Sequence, residues 1–225
     1  MPTELIIFDN DGTLCDSEEI NNTATANILL KLGFSQYTAE FCHEHLAGMA
    51  MSDVREKVEN ESGKKLPDNF TSMFVQSALL ETERSMRPVP GSVEAAKLLS
   101  KSYKVCVGSN GERTNVLTSI RKIGLMDLFT EDRIYTKSQV SRGKPAPDLF
   151  LHAANAMKVA PEKTIVIEDS PSGARAGLAA GMRVLGITAV SHNAESMTKN
   201  LKTVGVERVF VSWPEIVDYI KNDCG

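Results

Sequence analysis

Asp9 and Asp11 are two carboxylates separated by one residue, in the stretch Phe8-Asp9-Asn10-Asp11-Gly12-Thr13-Leu14-Cys15-Asp16-Ser17. They follow a short apolar run, Leu5-Ile6-Ile7-Phe8, which predicts a buried strand. Along a strand, residues i and i+2 face the same way, so both acids converge where the strand ends and Gly12 bends the chain. The carboxyl edge of an open α/β sheet is where such folds bind ligands. Two close carboxylates without a local counter-charge repel each other and need a cation or a shared proton. A hard divalent ion such as Mg2+ meets that need. Taken alone, the stretch also fits an Asp-Gly turn with both acids merely solvated.

Three further stretches carry similar chemistry. Val105-Cys106-Val107-Gly108-Ser109-Asn110-Gly111 is an apolar run ending in small polar residues, and Gly143-Lys144-Pro145-Ala146-Pro147-Asp148 sets a lysine in a stiff loop. Thr164-Ile165-Val166-Ile167-Glu168-Asp169-Ser170 is another apolar run ending in carboxylates. Each is common by itself, and the four in this order are far more specific.

These residues need elements to position them. Candidate strands lie at 5–9, 104–109, 133–135, 164–168, 183–187 and, more weakly, 208–211. Candidate helices lie at 92–100, 113–123, 147–157, 172–180 and 214–221. Apolar strands alternating with amphipathic helices predict an α/β fold with a doubly wound parallel sheet. Residues 15–88 break the alternation and read as helical. Ile20, Ala24, Ile28 and Leu32 recur at four-residue steps and give one apolar face. Gly33 stops that helix, and further helices are expected over 41–46, 52–61 and 69–86. The expected division is a core of residues 1–14 and 89–225 with an inserted helical domain at 15–88, hinged where Pro88 and Pro90 stiffen the return.

The chain has 225 residues, 42% of them hydrophobic and 24% charged, with a formal net charge of −4. That size allows one domain with an insertion. The charge shows no basic stripe of the kind nucleic acid requires, and no apolar run approaches the roughly 20 residues that cross a bilayer. The N-terminus lacks the pattern of a secretion signal. A cytoplasmic monomer with no nucleic-acid or membrane partner is therefore expected. Cys15, Cys42, Cys106 and Cys224 show no zinc-ligand spacing and are expected as free thiols, Cys106 as a core residue.

The four stretches together resemble the haloacid dehalogenase-like hydrolase superfamily. The resemblance is to the branch of β-phosphoglucomutase and small sugar-phosphate phosphatases. It runs from residue 4 to about residue 213 and is weakest over 15–88. It implies a Rossmann-like core, a mobile helical cap, Mg2+ as cofactor and a small phosphorylated metabolite as substrate. Asp9 would be the nucleophile that forms an aspartyl-phosphate, and Asp11 the general acid and then base. Ser109 would hydrogen-bond the phosphoryl group, helped by backbone N–H groups at Asn110 and Gly111. Lys144 would neutralise the phosphoryl oxygens. Asp9, Asp11, Glu168 and Asp169 would form the metal site, with Glu168 ligating or standing behind the ligands. Leu46-Ala47-Gly48-Met49-Ala50-Met51 looks like the specificity loop, with Gly48 at its turn and in the substrate site. Arg55 and Lys57 follow it, as surface charges or as contacts to an anionic group.

Departures within the superfamily narrow the activity. The mutases carry a histidine ten residues beyond the second Asp, where this chain has Asn21. They also carry a lysine and an arginine around the cap-loop glycine, where it has Ala47 and Met51-Ser52. Phosphonoacetaldehyde hydrolases need a cap lysine, and none lies between Lys31 and Lys57. The dehalogenases lack the second acid and the metal. The expected function is a Mg2+-dependent phosphatase of a sugar phosphate, phosphogluconate or phosphoglycolate. A phosphosugar mutase is the alternative, and a silent phosphate-binding module a further one. Asp9→Asn is expected to leave the fold intact because it removes only a surface carboxylate.

Overall fold

The computed structural model describes residues 2–46, 49 and 51–223. The chain forms two compact units, one of Met1–Asp16 with Arg87–Gly225 and one of Ser17–Met86. Strands run in the order β1 (Leu5–Phe8), β2 (Cys15–Asp16), β3 (Arg87–Pro88), β4 (Lys104–Ser109), β5 (Ile134–Thr136), β6 (Thr164–Glu168), β7 (Arg183–Ile187) and β8 (Arg208–Phe210). Helices α1 (Glu18–Lys31), α2 (Ala39–His45), α3 (Met51–Ser62) and α4 (Phe70–Ser85) belong to the Ser17–Met86 unit. The other unit holds α5 (Ser92–Leu99), α6 (Arg113–Lys122), α7 (Asp148–Ala156), α8 (Pro171–Ala179), α9 (Ala194–Val204) and α10 (Trp213–Asp223).

The larger unit is a doubly wound α/β fold around a six-stranded sheet, ordered β5-β4-β1-β6-β7-β8, with every pairing parallel. Parallel sheets bury both faces, and their strands are correspondingly apolar throughout. Leu5, Ile7, Cys106, Val166 and Val184 pack with Leu149, Phe150, Ala153, Ala174 and Leu201 from α7, α8 and α9. The alternate residues Ile6, Phe8, Val105, Val107, Ile165 and Ile167 are buried as well. The Phe8 ring lies 5.7 Å from both Phe129 and Trp213.

Chain order reverses beside β1, which pairs with β4 on one side and β6 on the other. Phe8 is level with Val107 and with Ile167, so Asp9, Gly108 and Glu168 follow at one height. Their carboxyl ends open at the topological switch point, the usual ligand crevice of such sheets. β2 and β3 lie antiparallel, Cys15 opposite Pro88 and Asp16 opposite Arg87. The chain thus leaves and re-enters this unit side by side.

The helical unit has its own core of Ile28, Leu29, Phe34, Tyr37, Cys42, Leu46, Val54, Val58, Leu66 and Phe70. Ile20, Ala24 and Ile28 are buried along α1, and Gly33 follows that helix at φ +87°. Arg55 donates to the carbonyls of Leu66, Pro67 and Asp68, and Lys57 pairs with Glu61 at 2.8 Å. Both cations are engaged within their own unit. Cys15, Cys42 and Cys106 are buried free thiols; Cys224 lies outside the described residues.

α9 lies in a stretch where the sequence reading places no element. Leu201 is its one fully buried side chain among the described residues, with Met197 and Val204 packed beside it at the i, i+4, i+7 spacing of an amphipathic helix. Its ends are marked as well: Asn193 accepts from the Ser196 N–H at 2.9 Å, and Gly205 follows at φ +105°.

Candidate active site

The loop after β1 is set by its own backbone. The Asn10 carbonyl accepts from the N–H groups of Leu14 and Cys15, and Gly12 N–H donates to the Cys15 carbonyl. Gly12 sits at φ +73°, a left-handed conformation that costs a residue with a Cβ. A methyl group there would also run into the Asp169 carboxylate. The Asn10 side chain turns away from the acids, its Oδ1 accepting from Ser119 Oγ at 3.2 Å and Cys15 Sγ at 3.4 Å. Trp213 Nε1 donates to the Thr13 carbonyl at 3.1 Å, tying α10 to the same loop.

Lys144 is the centre of the cluster. Its Nζ donates to Asp9 Oδ1 at 2.5 Å and Glu168 Oε1 at 2.6 Å. The ammonium also lies 4.8 Å from the Phe150 ring centroid, within cation–π range. Glu168 is fully buried, and its Oε2 accepts from the Ser170 N–H and hydroxyl, each at 2.9 Å. Ser170 also caps α8, its Oγ accepting from Gly173 N–H at 3.1 Å. A side chain at position 173 would collide with the Glu168 carboxylate. Ser109 Oγ donates to Asp11 Oδ2 at 3.5 Å and accepts from Gly111 N–H at 2.9 Å.

The structure therefore brings together Asp9, Asp11, Ser109, Asn110, Lys144, Glu168 and Asp169. Gly48 lies outside the described residues, as do Ala47 and Ala50 of the same loop. Asp9 is only 6% exposed, so it is not the surface carboxylate expected from its place after a strand. The flanking Asp11 loop and the ends of β4 and β6 wall it in. Two supports have no sequence signal of their own kind. Phe150 reads as a core aromatic of α7, and the Asn110 amide as part of an Asn-Gly turn.

Charge in the cluster is unbalanced. Burial raises the Asp9 carboxyl first, the Glu168 charge raises it further, and Lys144 opposes both; the result is about 8 against the ordinary 3.8. Asp169 is likewise raised well above the ordinary value, by burial and then by Glu168 and Asp9. Burial alone would lower Lys144, but the charges of Asp9 and Glu168 outweigh it and its pKa rises. One ammonium facing this many carboxylates leaves negative charge uncompensated. Asp9, Glu168 and Asp169 each offer an oxygen within 4.8 Å of the others. An all-oxygen, net-negative donor set fits a hard divalent cation.

Residues 6–187 match the haloacid dehalogenase-like hydrolase family. The chain belongs to this family. Among its relatives is 6-phosphogluconate phosphatase of Escherichia coli, 29% identical over 84% of this chain and 85% of that protein. A conserved haloacid dehalogenase-like protein of unknown function from Agrobacterium tumefaciens is 31% identical, with a TM-score of 0.83 over 99% of this chain and 100% of that one. A haloacid dehalogenase-like hydrolase from Deinococcus radiodurans, solved with bound phosphate and sodium, is 28% identical with a TM-score of 0.79. It covers 98% of this chain and 96% of that one.

Proposed function

We propose that this haloacid dehalogenase-like hydrolase is a Mg2+-dependent phosphatase that cleaves a small phosphate monoester of the sugar-phosphate or phosphogluconate type through an aspartyl-phosphate. The observation that carries the reading is Lys144 Nζ held between Asp9 and Glu168 in a buried site. A lysine bound directly to Asp9 compensates its charge and that of an incoming phosphoryl group. The 6-phosphogluconate phosphatase relative and the phosphate-bound neighbour support the substrate class.

Phosphoryl transfer asks the protein mainly for positioning and charge neutralisation. An Asp9 carboxylate oxygen attacks phosphorus, a new O–P bond forms, and the ester O–P bond breaks. Asp11 delivers its proton to the departing alkoxide oxygen. In the second half, Asp11 takes a proton from water, the water oxygen attacks phosphorus, and the Asp9 carboxylate leaves. Ser109 and the adjacent N–H groups at the end of β4 hold the phosphoryl oxygens. Mg2+, held by Asp9 and Asp169 with Asp11 and Glu168 adjoining, would neutralise the phosphoryl oxygens as charge develops. The Ser17–Met86 unit serves as the substrate-selecting cap in this reading, supported by its insertion directly after the first strand's loop.

The test is release of inorganic phosphate from a panel of sugar phosphates, phosphogluconate, phosphoglycolate and an aryl phosphate, with and without Mg2+. Release that depends on Mg2+ and disappears in Asp9→Asn is expected. Equal release by that variant would remove Asp9 as the nucleophile.

A further inference from the structure

The Lys144 backbone is gripped by a single side chain. Asn110 Oδ1 accepts from the Lys144 N–H at 2.9 Å, and Asn110 Nδ2 donates to the Lys144 carbonyl at 3.0 Å. One amide thus satisfies both polar groups of one residue across 34 positions of sequence. Asn110 stands just beyond β4, beside Ser109, so the clamp ties the Lys144 loop to the strand that ends at the site. Gly143 packs against it so closely that a Cβ there would lie 2.5 Å from Asn110 Oδ1.

We infer that Asn110 is a positioning residue: its side-chain amide fixes the Lys144 peptide unit and thereby aims the ammonium at Asp9. This rests on the phosphatase reading for the meaning of Lys144, but not for the clamp itself. A lysine has four rotatable side-chain bonds, and its ammonium is a point charge whose value depends on where it is held. The Phe150 ring supports the far end of the side chain, while Asn110 fixes the near end. The clamp uses Asn110 Oδ1 and one of the two Nδ2 hydrogens.

A double-mutant cycle tests this, using wild type, Asn110→Ala, Lys144→Ala and the double variant, with an aryl phosphate and Mg2+. Asn110→Ala is expected to lower kcat on the order of 10²-fold, the usual consequence of a misplacement of about 1 Å, with KM nearly unchanged. In the Lys144→Ala background the same change is expected to cost nothing further, because residues acting through one another are not additive. Gly143→Ala attacks the clamp from the other side, pushing on the Asn110 amide, and should reproduce the kcat loss with Asn110 itself unsubstituted, which covers a failure of Asn110→Ala to fold. Losses that multiply in the double variant, or wild-type kcat in both Asn110→Ala and Gly143→Ala, would overturn the inference. Wild type turning over no ester would instead defeat the phosphatase reading. The same cycle, read by calorimetry on inorganic phosphate, would still decide the clamp: a weakening by Asn110→Ala that vanishes without Lys144 supports it, and one that persists refutes it.

Discussion

Lys144 is the residue on which the site's chemistry and its stability both turn. It is 9% exposed and bonded to two carboxylates. Removing one partner of a buried ion pair leaves uncompensated charge and costs about 3–5 kcal/mol. Lys144→Ala is therefore expected to lower the urea midpoint of the metal-free protein by a large margin, and to lower kcat by about 10²–10³-fold, the scale of a lost preorganised electrostatic donor. A variant with a wild-type midpoint and rate would remove Lys144 from the site. Asp9→Asn acts oppositely on stability. It removes one of several carboxylates competing for one ammonium, so the metal-free variant should melt no lower than wild type while losing turnover. A lower melting temperature at pH 8 would contradict the charge imbalance. This also replaces the reason read from sequence: the variant is expected to keep its fold because it relieves repulsion, since Asp9 is buried and not at the surface.

Elements bring these residues together, and here two local features carry most of the geometry. Ser170 is at once the N-cap of α8 and the donor to Glu168 Oε2. Ser170→Ala should cost about 1 kcal/mol through the cap alone and more through the orphaned carboxylate, measured by urea unfolding; a neutral change would mean that water replaces both bonds. Capping was legible from the sequence, since Ser-Pro before an apolar helical stretch marks a start. The second bond was not, because it depends on Glu168 folding back over Gly173. The strands and most helices were similarly legible, because buried parallel strands are apolar runs and their helices are bounded by Gly and Pro. α9 was as legible, from the i, i+4, i+7 spacing of Met197, Leu201 and Val204 and from Asn193 and Gly205 at its ends, and the sequence reading passed over it. The Asn110 clamp was illegible in principle: nothing in a Ser-Asn-Gly turn says which distant backbone its amide will meet.

At the scale of the whole molecule, the site is a store of unfavourable charge that a bound cation would relieve. In the folded chain Asp9 titrates near 8, against 3.8 ordinarily. Between those values the folded state keeps a proton that the unfolded chain has released, so metal-free stability falls as pH rises through that window. Mg2+ bound at these carboxylates would stabilise only the folded form, so added Mg2+ is expected to raise the melting temperature, with a larger gain at pH 8 than at pH 5. A melting temperature independent of both pH and Mg2+ would contradict this balance. The order of the four sequence stretches already pointed to the family, and the fold places them at one sheet edge because β4 and β6 flank β1.

An aspartyl-phosphate on Asp9 should accumulate in Asp11→Asn supplied with a radiolabelled aryl phosphate. An aryl leaving group needs no proton from Asp11, so the first half-reaction proceeds, while hydrolysis of the acyl phosphate lacks its base. The predicted result is a burst of phenol equal to the enzyme present, with the labelled phosphoryl group recovered on Asp9. Steady release of phenol and phosphate with no label on the protein, or label on another residue, would rule out Asp9 as the nucleophile.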